Sequence, residues 1–140
     1  MPNTFRTSRR VEFRDTDAAG IMHFSTFFTY MEEAEHEFWR ELGLNVHMPD
    51  ADGTISWPRV AARCDYQDRV RFEDELAIDV RLIRVGEKSV TFDFAFTCQG
   101  RPVAAGEMTG ICCRITRDGK LRSIAIPSAI RDKLPAVPKA

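Results

Sequence analysis

The sequence predicts an α+β domain in which one strongly curved antiparallel sheet wraps around a single long helix. Three observations support this. Residues 24–42 carry apolar side chains at helical spacing, and no other segment of that length does. Four runs rich in β-favouring residues follow, separated by short polar turns. In two of these runs, large apolar side chains alternate with smaller or polar ones, so one sheet face needs a cover that the helix can supply.

The chain begins with a predicted strand from Thr4 to Arg14, and an acidic, glycine-bearing turn from Asp15 to His23 follows it. A helix is then predicted from about Phe24 to Leu42. Its apolar face has residues three or four apart, which are Phe27, Met31, Ala34, Phe38 and Leu42. Its opposite side is expected to hold charged residues in water, namely Glu32, Glu35, Arg40 and Glu41. Ser25 or Thr26 is predicted to cap the helix start, and Gly43 to end the helix.

The remaining chain is predicted to be mostly β-structure. Residues 45–54 contain Pro49 and Gly53, which indicates a loop that can cover a pocket. The predicted strands are Ser56–Tyr66, Leu76–Val85, Ser89–Cys98 and Val103–Ile115, and the last three should pair as antiparallel hairpins. A helical turn is expected within Pro127–Leu134. An open sheet edge would favour pairing between subunits.

Size and composition indicate an ordinary globular protein. The 140 residues fit a single domain, 1–140, and 44% hydrophobic with 29% charged residues is typical of that class. The net charge of −1 provides no overall electrostatic field that would attract the protein to nucleic acid or anionic lipid. Neither a signal peptide nor a run of eighteen apolar residues is evident, so we expect a cytoplasmic protein outside the membrane. The four cysteines form no C-x-x-C pair and are expected to be buried free thiols.

Metal sites and a nucleophilic triad are poorly supported. Asp15, Asp17 and Gly20 resemble the start of a calcium loop, but Ala19 and Thr26 occupy positions that need oxygen ligands. A metal site at the helix histidine His36 and its neighbour Glu32, or at His23, lacks enough ligands. Ser25 lacks the G-x-S-x-G elbow of a hydrolase nucleophile. No metal or cofactor is therefore expected.

The turn before the helix is the strongest candidate for chemistry. A carboxylate near a helix N-terminus can act as base or nucleophile, while unpaired N–H groups there stabilise a developing oxyanion. Asp15 is equally well explained as a turn or N-cap acceptor. Around the Gly86 turn, Arg84, Lys88 and Ser89 can bind a phosphate group or can simply be solvated, and the same holds for the arginines at positions 69 and 71.

The run from Phe13 to Met22, leading into the helical sequence Tyr30–Ala34, resembles the 4-hydroxybenzoyl-CoA thioesterase-like branch of the hotdog-fold acyl-CoA thioesterases. Weaker similarities to the same family occur at residues 71–76, 86–90 and 100–107. The resemblance implies a five- or six-stranded sheet around a central helix, with subunits paired as dimers or tetramers. It also implies an acyl-CoA substrate hydrolysed to free acid and CoA.

The resemblance further implies roles for particular residues. Asp17 stands at the position of the catalytic nucleophile or base, and the amides near His23 and Phe24 at that of the oxyanion donors. The expected substrate or CoA contacts are Gly20, Ile21, Glu33, Arg84, Lys88 and Ser89; Glu33 is equally well explained as a solvated residue. The sequence departs from the family pattern at two positions, and both departures concern substrate preference. The histidine lies at 23 rather than 24, and Arg69 stands where relatives commonly have a proline.

Two other functions remain open within the same fold. One is a binding module that holds an acyl-CoA or an acyl carrier without cleaving it. The other is a dehydratase, which is disfavoured because no histidine pairs with a helix carboxylate in the arrangement of those enzymes.

Overall fold

The computed structural model describes residues 2–138. Its helices are α1 (Thr26–Glu41) and α2 (Ser128–Arg131), and a 3-10 turn spans Phe13–Asp15. Its strands are β1 (Thr4–Arg10), β2 (Met48–Asp50), β3 (Gly53–Ser56), β4 (Arg59–Tyr66), β5 (Glu75–Val85), β6 (Ser89–Cys98), β7 (Arg101–Ile111), β8 (Cys113–Ile115) and β9 (Leu121–Ser123).

Five of these strands form the main antiparallel sheet, in the order β1-β5-β6-β7-β4. The predicted hairpins β5–β6 and β6–β7 are confirmed. The four short strands form a second sheet in the order β2-β3-β8-β9. Strand β4 therefore lies at one edge of the main sheet, where it pairs with β7, a strand far from it in sequence.

Helix α1 covers the inner face of the main sheet, as predicted. All five residues of the predicted apolar face are buried. The ring of Phe38 lies 5.7 Å from that of Phe5 and 5.9 Å from that of Phe92, so the helix contacts both an edge strand and a central strand. At Gly106 the sheet and helix approach so closely that an added Cβ would overlap the sulfur of Met31. The helix is thus tightly packed against the sheet near its first half.

Several predicted element ends differ from the structure. Strand β1 ends at Arg10, because the Val11 amide bonds to the carbonyl of Asp74 and the chain then turns. The predicted loop 45–54 contains a hairpin, β2–β3, whose second strand pairs with β8. Gly43 has φ +77° and ends the helix as expected, and the predicted turn near the C-terminus is α2.

Two predictions about α1 side chains are wrong. Ser25 occupies the N-cap position but makes no side-chain capping bond, because its hydroxyl bonds to the His23 ring instead. Glu35, expected in water, is buried and pairs with Arg59 of β4. The cysteine prediction is correct for the three buried free thiols, Cys98, Cys112 and Cys113, while Cys64 is partly exposed.

Candidate active site

A short hairpin carries Asp17 to the start of helix α1. The Asp17 amide donates to the Ile21 carbonyl at 2.9 Å, and the His23 amide donates to the Asp15 carbonyl at 2.8 Å. Between them Thr16 and Met22 form a β-bridge. The reversal needs a left-handed residue at Gly20, where φ is +80°, and an L side chain there would be strained. Gly20 therefore shapes the turn that presents the carboxylate.

Met22 is buried in this hairpin, whereas Asp17, Ile21 and His23 are partly exposed. The Asp17 carboxylate is partly exposed, and its Oδ1 accepts a hydrogen bond from the Ala19 amide at 2.8 Å. No other hydrogen bond to this carboxylate is found within residues 2–138, so its second oxygen is available to a water molecule or a substrate.

Asp15 anchors the hairpin to the helix. Its Oδ2 accepts the Tyr30 hydroxyl at 2.6 Å and the Glu12 amide at 3.0 Å. Burial, assisted by the bond to Asp15, raises the pKa of the Tyr30 hydroxyl, which therefore stays protonated as a donor. These contacts give Asp15 a structural role and distinguish it from Asp17, whose carboxylate accepts a hydrogen bond only from the Ala19 amide among the described residues.

Of the two amides predicted as donors at the helix start, His23 and Phe24, one is free. The His23 amide is occupied by the Asp15 carbonyl, which corrects that part of the prediction. The Ser25 amide donates to His23 Nδ1 at 3.2 Å. Within the described chain the Phe24 amide has no hydrogen-bond partner. Phe24 is therefore the candidate oxyanion donor.

The His23 ring is fixed beside this donor. Because the Ser25 amide can only donate, Nδ1 of His23 accepts, and the proton of the neutral ring lies on Nε2. The Ser25 hydroxyl also contacts Nδ1 at 2.7 Å, and the ring lies 4.5 Å from that of Phe24. The His23 side chain thus lies against the helix start, with Nε2–H as its remaining donor.

A groove of about 290 Å³ lies beside the hairpin. It is lined by Ile21, Met22, Phe27, Tyr66, Gln67, Asp68, Arg69 and Val70. The Tyr66 hydroxyl donates to the Phe24 carbonyl at 2.9 Å, and its ring packs edge-on against Phe27 at 5.2 Å. Sequence reasoning missed Tyr66, and its only signal was its place at the end of a predicted strand before the Arg71 element.

Glu33 lies away from this groove. It pairs with Arg9 of β1 at 3.0 Å, and Arg9 also contacts Glu37 at 3.2 Å. A cavity on that side is lined by Glu33 together with Asp15 and Tyr30. The ion pair gives Glu33 a partner within the chain, in keeping with the structural interpretation left open above.

The three predicted CoA contacts at the β5–β6 turn lie at the far end of β5. Strand β5 begins just after Arg71, whose neighbour in the hairpin is Ile21. At roughly 3.3 Å per residue, the nine steps from Glu75 to Arg84 span about 30 Å along the strand. Arg84 donates to Thr91 at 3.3 Å. Arg84, Lys88 and Ser89 therefore lie at the opposite end of β5 from the hairpin.

The described residues contain no cluster of three or more His, Cys, Asp or Glu side chains arranged to hold a metal ion. His36 is half-buried, and burial lowers its pKa. Within residues 2–138, neither helix has the length and apolar character needed to cross a membrane.

Comparison with known proteins identifies the family. The sequence model of the thioesterase-like superfamily matches residues 11–134. The chain belongs to this superfamily. The match includes the Asp17 hairpin, helix α1 and four of the five strands of the main sheet, and β1 lies before it.

Individual thioesterases resemble this member of the superfamily along most of its length. The 1,4-dihydroxy-2-naphthoyl-CoA hydrolase of Synechococcus sp. (strain WH7803) is 30% identical over 138 residues, covering 94% of this chain and 88% of the relative. A solved gentisyl-coenzyme A thioesterase is 28% identical with a TM-score of 0.79, covering 94% and 100% of the two chains.

A third relative is similar mainly in structure. A variant of 4-hydroxybenzoyl CoA thioesterase, solved with 4-hydroxybenzoyl CoA, has a TM-score of 0.82 at 19% identity, covering 95% of this chain and 99% of that one. Identity this low supports the fold alone. Together with the family match it confirms the hotdog fold expected from the sequence.

Proposed function

We propose that the protein is an acyl-CoA thioesterase that hydrolyses a thioester to a free acid and CoA. The observation that carries the proposal is a partly exposed carboxylate, Asp17, in the hairpin and an unpartnered amide, Phe24, directly after it, in a thioesterase-like chain. The carboxylate supplies the activated oxygen, and the amide stabilises the charge that develops on the thioester oxygen.

Two routes use the same residues. As a general base, Asp17 takes a proton from water, the water oxygen bonds to the carbonyl carbon, and the C–S bond breaks to release the CoA thiolate, which is then protonated. As a nucleophile, Asp17 displaces the thiolate to form an acyl-enzyme anhydride, which water then hydrolyses to the acid and the free carboxylate. In both routes the negative oxygen of the tetrahedral intermediate accepts the Phe24 N–H.

The proposed acyl group is aromatic. Two relatives are named for naphthoyl and gentisyl thioesters, both of which carry an aromatic ring. Phe27 and Tyr66 supply aromatic surface to the groove beside the hairpin, and Ile21 and Met22 supply aliphatic surface. Aromatic rings pack favourably in edge-on or offset contacts with such side chains.

We further propose one domain per chain, assembled as a homodimer or homotetramer in the cytoplasm. Edge strand β4 is mostly exposed, including Val60 at a bulge in its pairing with β7, and an open edge favours pairing with a second chain. A second subunit is also the simplest source of the distant Arg84, Lys88 and Ser89 as CoA contacts. The four free thiols fit a reducing compartment.

Hydrolysis of a panel of aromatic, short-chain and long-chain acyl-CoAs tests the proposal, with release of CoA followed by a thiol reagent. Asp17→Asn is expected to lower kcat by at least about 100-fold, because it removes the base or nucleophile. Asp132→Asn, an exposed carboxylate on the far C-terminal segment, is the matched control and should retain wild-type kcat.

The possible results separate the mechanism from the function. If Asp17→Asn stays within about threefold of wild type, Asp17 is not the catalytic carboxylate. If the wild type cleaves none of the panel but binds CoA tightly, the chain is a binding module and the hydrolase proposal is wrong.

A further inference from the structure

We propose that Tyr66 is a positioning residue that holds the Phe24 amide toward the thioester carbonyl, an inference that rests on the proposed hydrolase function. Tyr66 is not assigned the role of touching the reacting atoms. It acts through the backbone of Phe24, whose carbonyl its hydroxyl holds at 2.9 Å.

The backbone on both sides of the free amide is fixed by hydrogen bonds. On the N-terminal side, the His23 amide is held by the Asp15 carbonyl at 2.8 Å, and the His23 carbonyl accepts from the Thr26 amide at 3.0 Å. On the C-terminal side, the Phe24 carbonyl is held by Tyr66. Only the Phe24 N–H, between these points, lacks a partner within the described residues. The bond from Tyr66 thus completes the restraint on the orientation of this amide.

Tyr66 is itself rigidly supported. It is the last residue of β4, and its ring packs edge-on against Phe27, whose ring lies 5.3 Å from that of buried Phe96. The hydroxyl therefore ties the helix start to the main sheet across 42 residues of sequence. A donor aimed before the reaction begins needs no reorganisation during it, which is the physical basis of oxyanion stabilisation.

The exposure of Tyr66 argues against a purely stabilising role. The residue is 46% exposed, and Phe24 is 62% exposed, so water competes for this bond and limits its contribution to folding. The Tyr66 hydroxyl has a single proton, which it donates to the Phe24 carbonyl at 2.9 Å. Tyr66 is therefore suited to orienting Phe24 rather than to protonating the leaving group.

Tyr66→Phe tests this inference, because it removes the hydroxyl and keeps the ring against Phe27. With the best substrate of the panel, kcat is expected to fall about tenfold while KM stays within about twofold, since a loss of about 1.4 kcal/mol would be confined to the transition state. Thr109→Val is the matched control. It removes a hydroxyl bond of equal length, 2.9 Å to Thr91, on the sheet away from the hairpin, and should leave kcat unchanged.

A double-variant cycle shows whether Tyr66 acts through the amide. Phe24→Pro removes the N–H, and kcat should fall roughly 100-fold and lie at least tenfold below that of Phe24→Ala, which keeps it. Adding Tyr66→Phe to Phe24→Pro should cause little further loss, because the group being positioned is already absent. Circular dichroism confirms that each variant is folded; if Phe24→Pro is not, the kcat and KM of Tyr66→Phe alone decide the question.

Three results overturn the inference. They are an unchanged kcat in Tyr66→Phe, a rise in KM without a fall in kcat, or losses from Tyr66→Phe and Phe24→Pro that multiply independently. Each leaves the hydrolase proposal standing, provided that the wild type turns over. Lack of any wild-type turnover instead overturns the proposed function, and this inference with it.

Discussion

Replacing Glu35 with alanine is expected to destabilise the fold by about 3–5 kcal/mol, because it breaks a buried ion pair on one side only. Glu35 is 1% exposed. Its Oε2 accepts Nη2 of Arg59 at 2.8 Å and the indole N–H of Trp39 at 2.9 Å. Alanine would leave both donors without this acceptor.

The magnitude follows from the two orphaned groups. A buried neutral N–H such as that of Trp39 costs about 1–3 kcal/mol when unpaired. The Arg59 guanidinium would also be left as an unpaired charge, and its Nε already has no hydrogen-bond partner among the described residues. However, the Arg59 side chain is 20% exposed, so water recovers part of this cost and the lower end, about 3 kcal/mol, is the better expectation.

Urea unfolding followed by tryptophan fluorescence measures the effect directly. Trp39 and Trp57 are the two tryptophans of the chain, and their rings lie 5.0 Å apart beside this ion pair. Glu32→Ala is the control on the same helix, since Glu32 is exposed, and its effect should be within about 0.5 kcal/mol.

Replacing both partners tests the reasoning independently. Glu35→Leu combined with Arg59→Met removes the charges together, and the double variant should be more stable than Glu35→Ala because no buried charge is left unpaired. A loss below about 1 kcal/mol in Glu35→Ala, or a double variant less stable than that single variant, would refute this account of the pair.

Three further predictions concern Gly106, Cys64 and the titration of Glu35. Gly106→Ala should cost about 1–3 kcal/mol in urea unfolding, because its Cβ would overlap Met31, and Met31→Ala in the same chain should reduce the additional loss. Burial raises the pKa of the Cys64 thiol to about 11, so only about 0.1% is thiolate at pH 8, and alkylation by iodoacetamide should quicken about tenfold per pH unit between pH 7 and 9. Burial also raises the pKa of Glu35, so its stabilising contribution is present below the ordinary carboxyl pKa and is lost as the pH rises through the raised value. Glu35→Gln does not titrate and should therefore gain stability relative to wild type as the pH rises above the ordinary carboxyl pKa, measured by urea unfolding. A constant difference between the two proteins would contradict this.

Local patterns predicted the parts of the fold that local chemistry determines. The spacing of Phe27, Met31 and Phe38 identified the buried face of α1, because a helix places such residues on one side. Gly43 marked the helix end because glycine readily adopts the positive φ that ends a helix, here +77°. The position of Asp17 beside a helix start could also be predicted, since the whole hairpin lies within a few residues of it.

The errors arose where distant contacts decide the outcome. Glu35 follows Ala34 on the helix, and nothing within a few residues indicates that Arg59, 24 positions away, will neutralise its charge. The hairpin in residues 45–54 depends on β8, which lies some 60 residues further on. The family resemblance implies that the His23 amide is a donor, but this amide is already bonded to the Asp15 carbonyl. Tyr66 lies at the end of β4 and contacts the helix start through the carbonyl of Phe24, 42 residues earlier in the sequence.

The open position of the site has a consequence for assembly. Amide donors stabilise an oxyanion most strongly where water is excluded, yet Phe24 and Tyr66 are both substantially exposed in the single chain. Tyr66 ends β4, the edge strand proposed to pair with a second subunit. A chain added at that edge would lie beside the groove, exclude water from the Phe24 amide and extend the acyl-binding surface. Assembly and catalysis are therefore expected to be coupled, since the contact that forms the dimer would also provide the low-dielectric surroundings that the donor needs.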